Sequence, residues 1–145
     1  MTHHEKRFTR QLMSYWEVCR GDSEMPSIEE FREGVLDEIW SKCIEIKIEG
    51  GDYRIKSMGR DMISAYGQDF SGDLTNSTKN GFPGFFIYND LDKMILSQNP
   101  AEGSGYFGVS STQVIVYRTC HLPFINNQEI VNSIVIGLSY KILGI

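Results

Sequence analysis

Residues 44–56 run Ile44-Glu45-Ile46-Lys47-Ile48-Glu49-Gly50-Gly51-Asp52-Tyr53-Arg54-Ile55-Lys56. Isoleucines alternate with charged side chains through Glu49, which gives an extended strand one apolar face and one charged face. Gly50-Gly51 supplies the positive φ of a tight turn, and Tyr53 and Ile55 alternate with Arg54 and Lys56 on the return. The segment is therefore a β-hairpin, with one face expected to be buried and the other to meet water.

Working outward from the hairpin, the chain before it is helical. Phe8, Leu12, Tyr15, Trp16 and Cys19 recur at helical spacing between Lys6, Arg10, Ser14 and Glu17, and Gly21 is a plausible stop. This aromatic stripe must be covered, either by its own domain or by a second copy of the chain. A second helix starts at Pro26-Ser27, where Ser27 and Glu30 have capping-box spacing. Phe31, Val35, Leu36, Ile39 and Trp40 form its expected buried side, with Gly34 weakening the middle. Glu29, Glu30, Glu33, Asp37 and Glu38 make a solvated acidic face.

After the hairpin, Asp61 caps an expected short helix carrying Met62, Ile63 and Tyr66 and ended by Gly67. Residues 68–84 read as loop. A helix over 85–98 places Phe85, Tyr88, Leu91, Met94 and Ile95 on one side, and Pro100 helps to end it. Strands follow over 112–124, rich in β-branched and aromatic residues, and where Ile134, Ile136, Leu138, Tyr140 and Ile142 alternate. Antiparallel strands in sequence with helices segregated between them indicate an α+β fold, not a doubly wound parallel sheet. Residues 1–40 are a helical segment flanking the sheet and 41–145 are the core, one structural domain in all.

Composition narrows the function. The 145 residues carry 14 Lys+Arg against 19 Asp+Glu, a net charge of −5. That balance disfavours nucleic acid and anionic membrane, both of which call for a basic face. Cys19, Cys43 and Cys120 are odd in number and contain no CxxC, which argues against a disulfide framework or structural zinc. No secretory h-region follows the basic start, and the apolar stretch 130–145 is too short and too interrupted to span a bilayer. The expected location is the cytoplasm.

Candidate chemistry is sparse. Gly103-Ser104-Gly105-Tyr106-Phe107-Gly108 matches G-x-G-x-x-G, but a dinucleotide site needs a strand before the glycines and a helix after them. Here the order is reversed, so the segment is expected to be a flexible loop entering a strand. His121 lies in an apolar strand as an interior or edge residue, and its neighbour Cys120 points to the opposite face, so the two make no catalytic dyad. The pairs Asp90/Asp92 and Asp69/Asp73 lack the repeated oxygen ligands of a calcium loop. No metal site and no catalytic motif emerges.

Leu12, Tyr15-Trp16, Arg20-Gly21 and Met25-Pro26-Ser27 resemble the opening of a bacterial PAS-like family. Tyr53-Arg54-Ile55, Gly59, Tyr66-Gly67-Gln68-Asp69-Phe70-Ser71-Gly72 and Leu122-Pro123-Phe124 continue the resemblance along nearly the whole chain, with 75–112 matching loosely. The resemblance implies a five-stranded antiparallel sheet with helices on one face, preceded here by the N-terminal amphipathic helix. It also implies a sensory or regulatory module without enzyme activity, acting through protein contacts and gated by a small ligand in an apolar pocket. Arg54, Ile55, Met62, Ile63, Tyr66, Leu91, Ile95, Tyr117 and Arg118 are the expected lining, with Tyr53 and Leu138 beside them. Among cofactors, the flavin-photosensor cysteine motif is missing and the middle helix offers no histidine for haem. With little chain beyond the sheet, output is expected through a separate effector protein, and a partner with a basic face would suit the acidic second helix. A homodimer through Phe8, Leu12, Tyr15 and Trp16 is also expected. The alternatives are a ligand-free adaptor and a small cone-fold enzyme of the ketosteroid-isomerase type, using Asp61, Asp69 or His121 as acid or base.

Overall fold

The hairpin forms as β1 (Cys43–Glu49) and β2 (Asp52–Met58) in the computed structural model, which describes residues 3–21, 26–75, 91–126 and 130–144. Gly50 and Gly51 have φ of 57° and 86°, the left-handed values that a two-residue hairpin turn requires. Before the hairpin lie α1 (His3–Arg20), α2 (Ile28–Gly34) and α3 (Asp37–Trp40). After it come α4 (Arg60–Tyr66), α5 (Leu91–Ser97), β3 (Ala101–Ser110), β4 (Gln113–Ile125) and β5 (Val131–Gly144). The strands form one antiparallel sheet in the order β2-β1-β5-β4-β3, so the last strand is inserted beside the first.

Both faces of the sheet are covered, each by its own apolar cluster. Ile44, Ile46, Ile55, Ile134, Ile136 and Leu138 pack with Met62 of α4 and with Leu91 and Met94 of α5. On the opposite face Cys43, Cys120, Leu122, Phe124 and Val135 pack with Phe8, Leu12 and Trp16 of α1 and with Phe31 of α2. The charged face of the hairpin therefore meets water only toward the turn. Cys43 through Ile46 are all buried, and Glu45 is paired with Lys56 at 3.2 Å. The N-terminal helices explain the difference, because they cover half of the face whose alternation predicts solvent.

The helix expected from Ser27 to Trp40 is two helices. Ser27 caps α2 by accepting the Glu30 N–H at 3.4 Å, as its spacing predicts. Val35 and Leu36 then adopt extended backbone, and Leu36 is 63% exposed. A Cβ on Gly34 would run into the Tyr15 ring, so this glycine lets α1 and α2 approach closely. The expected stops at Gly21 and Gly67 are both left-handed, at φ 55° and 82°. Of the helix expected over 85–98, residues 91–97 are helical and 85–90 lie outside the described residues.

Cys43, Gly137 and Cys120 form one row across β1, β5 and β4. A Cβ on Gly137 would lie 2.6 Å from Leu12 Cδ1 and 3.1 Å from Cys120 Sγ, so the bare backbone seats α1. Burial holds the Cys43 thiol well above its ordinary pKa, with Cys120 adding to the effect, and burial pushes Cys120 up to about 12. Since the thiolate is the reactive form, both are expected to resist a disulfide reagent at neutral pH in the folded chain and to react on unfolding. Half-buried Cys19 is expected to react first. Thiol titration with and without denaturant checks this, and fast labelling of Cys120 in the folded protein would contradict it.

Candidate functional site

The side chains of Tyr117, Thr119 and His121 line one face of β4, since alternate strand residues share a side. Opposite them in register on β3 stand Gly105, Gly103 and Ala101. Each large polar residue thus faces a small one. A Cβ at Gly103 would lie 2.8 Å from Thr119 Oγ1, and one at Gly105 would lie 2.7 Å from Tyr117 Oη. The glycines that resemble a nucleotide fingerprint are therefore not a loop before a strand. They lie within β3, where they give side chains of the neighbouring strand room to lean across.

Above this strip runs α5, which contributes Lys93, Met94 and Ser97. Asn99 and Pro100 close one end, with Gln98 turning the chain at φ 58°. Together they enclose a cleft of about 390 Å³, within the size range of small-molecule sites. Glu102 and Ser104 also border it, although their register with Cys120 and Arg118 puts their side chains on the opposite face of the sheet. The walls offer hydroxyl, imidazole and ammonium groups beside the apolar Met94 and the bare β3 backbone. Thr119 and His121 are buried, whereas Lys93, Ser97 and Asn99 are exposed, so the cleft is shielded from bulk water on the β4 side and open to it along α5. Such a mixture can hold a small polar organic molecule by directed hydrogen bonds.

The roof of the cleft is tied to the hairpin. Tyr53 Oη donates a hydrogen bond to Asp92 of α5. Burial, and then this carboxylate, push the Tyr53 pKa well above its ordinary value, so the phenol remains a donor. Arg54 donates to the Gly72 carbonyl, and Ile55 exchanges backbone hydrogen bonds with Gly72 and Asp73 at 2.7 and 2.9 Å. The 72–74 segment thereby covers part of the β2 edge.

Of the lining expected from sequence, Tyr117 is in the cleft. Ile55, Met62 and Leu91 belong to the closed core at 0%, 1% and 4% exposure, and Ile63 and Ile95 pack against that core. Arg54 is engaged at the β2 edge, where it also pairs with Glu49 at 3.9 Å. Arg118 shares the α1 face with Cys120 and so points away from the cleft. The side chain of Tyr66 lies outside those described. Phe8, Leu12 and Trp16, expected at a dimer surface, are 5%, 2% and 0% exposed because α1 lies on its own sheet. Half-buried Tyr15 packs at 5.3 Å from Phe31, so the stripe is covered from within the monomer.

The candidate acid and base positions separate. His121 lines the cleft. Asp61 accepts from Ser41 Oγ at 3.2 Å beside α4, and exposed Asp69 accepts from the Ser71 hydroxyl and N–H, which lower its pKa. Sequence reasoning missed Lys93, Ser97 and Thr119 as lining. The usable signal was the A-x-G-x-G spacing of Ala101, Gly103 and Gly105, which meets Y-x-T-x-H at Tyr117, Thr119 and His121 once β3 and β4 are paired.

Among solved structures, the chain is similar to the PAS domain of the histidine kinase ThkA, with 16% identity and a TM-score of 0.51. That match covers 68% of this chain and 96% of the other. A sensory box sensor histidine kinase from Vibrio cholerae matches at 10% identity and TM-score 0.51, over 78% of this chain and 94% of the other. No protein-family profile matches the chain, and neither does any curated protein. The strand order and these likenesses agree on the architecture, which is PAS-like. Among the described residues, no helix is long and apolar enough to cross a membrane.

Proposed function

We propose that this chain, built on a PAS-type fold, is a sensory module that holds a small polar organic molecule between α5 and the β3–β4 pair. The observation that carries the reading is the in-register pairing of Ala101, Gly103 and Gly105 with His121, Thr119 and Tyr117 under α5. A filled core calls for no such bare strip beside a polar ladder. Occupancy would press on α5, whose Asp92 is bonded to Tyr53, and so would reach the hairpin. Output then passes by contact to another protein. Likeness of fold supports the sensory class, and the cleft supports the ligand.

Native mass spectrometry of freshly purified full-length protein, followed by a metabolite screen read as thermal shift, tests the proposal. A retained or stabilising small molecule is expected. Ala101→Phe, which fills the strip opposite His121, is expected to weaken binding at least about tenfold, or ~1.4 kcal/mol. A wild-type chain that neither carries nor is stabilised by any compound contradicts the reading. So does full-strength binding by a folded Ala101→Phe protein.

A further inference from the structure

Charge in the cleft under α5 runs against the balance of the chain. The protein carries 19 Asp+Glu against 14 Lys+Arg, yet among the described residues no carboxylate faces into this space. Glu102 borders it but projects from the other face of β3, as its pairing with Cys120 requires. Asp92, at the start of α5, is turned to the hairpin, where it accepts the Tyr53 hydrogen bond. Lys93 lines the opening and is exposed. Among the described residues no Asp or Glu pairs with it. Arg54 is engaged at the β2 edge and Arg118 lies on the α1 face, so the permanent positive charge of the cleft rests on Lys93.

Polarity also varies with depth. Lys93 and Asn99 stand at the open side with an ammonium and an amide, both hydrogen-bond donors. The Ser97 hydroxyl between them is committed to its own turn, donating to the Met94 carbonyl at 3.2 Å and accepting the Asn99 N–H at 3.3 Å. Inward lie Met94 at 5% exposure, Thr119 at 3%, and the bare backbone of Gly103 and Gly105. An ionised group at that depth would lose its hydration without gaining a counter-charge, so the floor suits an uncharged body. A cleft lined by one sign of charge beside low-dielectric walls concentrates ions of the other sign, even in a chain of net charge −5.

We infer that the molecule held here is a small organic carboxylic acid bound as its anion. Its carboxylate sits at the rim on the Lys93 ammonium, and its uncharged body lies inward against Met94, Gly103 and the Thr119 hydroxyl. The inference rests on the ligand cleft proposed above and assigns the chemical class of its occupant. An amine would meet the like charge of Lys93 and find no carboxylate to pair with. A phosphate monoester, with nearly two charges, calls for arginine forks or a nest of backbone N–H groups, and both arginines considered for the lining point elsewhere. A volume of about 390 Å³ leaves room for a short hydroxy acid or an aromatic acid.

Calorimetric titration of the full chain tests it, using lactate, 3-hydroxybutyrate and mandelate, each beside its primary amide, with glycerol 3-phosphate as the competing anion. At least one acid is expected to bind about tenfold or more tightly than its amide, and more tightly than the phosphate ester. Lys93→Gln is expected to lose that tenfold for the acid and to leave the amide unchanged, while Lys93→Arg retains acid binding. Lys47→Gln removes the same charge from an exposed position on β1 and is expected to change neither. Equal affinity for acid and amide, preference for the phosphate ester, full-strength acid binding by Lys93→Gln, or an equal loss in Lys47→Gln overturns the inference. Binding of amides alone, abolished by Ala101→Phe, overturns the carboxylate and leaves the cleft standing. No binding by either series overturns the carboxylate and speaks against the cleft as well.

Discussion

Replacing Gly59 by alanine is expected to cost about 3 kcal/mol or more, lowering the melting temperature by roughly 10 °C. Gly59 has an ordinary φ of −65°, so space and not backbone freedom requires glycine here. A Cβ would collide with the carbonyls of Trp40 and Ser41. Those groups belong to the backbone and cannot rotate away. They also hold the start of α4: the Ser41 carbonyl accepts the Asp61 N–H at 2.9 Å and the Met62 N–H at 3.3 Å. The Gly59 N–H itself donates to the Cys43 carbonyl at 2.8 Å. One methyl group thus forces apart the junction of α3, β1 and α4. Gly108→Ala is the control, because a Cβ there meets nothing within 4 Å and a change within about 0.5 kcal/mol is expected. Thermal melts of the two variants give the comparison, and equal melting temperatures would refute the close approach.

Trp16→Ala is expected to destabilise the monomer by about 3–5 kcal/mol. Trp16 is fully buried, its Nε1–H donates to the Pro123 carbonyl at 2.8 Å, and the Arg20 guanidinium lies 5.7 Å from its ring centroid. Truncation leaves a large cavity between α1 and β4 and a carbonyl without its donor. Trp16→Phe restores most of the volume but not the donor, so it is expected to cost about 1–3 kcal/mol. Denaturant unfolding at low protein concentration distinguishes the two possible roles of the aromatic stripe. A core residue destabilises the monomer, whereas a dimer contact leaves monomer stability unchanged.

What was legible in the sequence had local causes. The alternation at 44–56 gives the hairpin, the spacing of Phe8, Leu12 and Trp16 gives α1, and the β-branched runs give β4 and β5 within a few residues of their ends. β3 was illegible as a strand because its residues answer to another strand. Ala101, Gly103 and Gly105 have no alternation of their own, and their smallness makes sense only opposite His121, Thr119 and Tyr117. The cleft between α5 and the β3–β4 pair was not read from the sequence for the same reason. Ile55, Met62 and Leu91 have the character of pocket lining and equally of core, and only packing decides between them. The break at Val35 was signalled by Gly34, but its purpose, admitting Tyr15, lies on another helix.

The most direct measurement is an amide-shift titration of the full chain with a library of small polar organic molecules. Sensing at the cleft predicts shifts gathered at Ser97, Gly103, Gly105, Thr119 and His121, with Tyr53 responding through Asp92. Shifts centred on Ile55, Met62 and Leu91, or no saturable response to any compound, would contradict it.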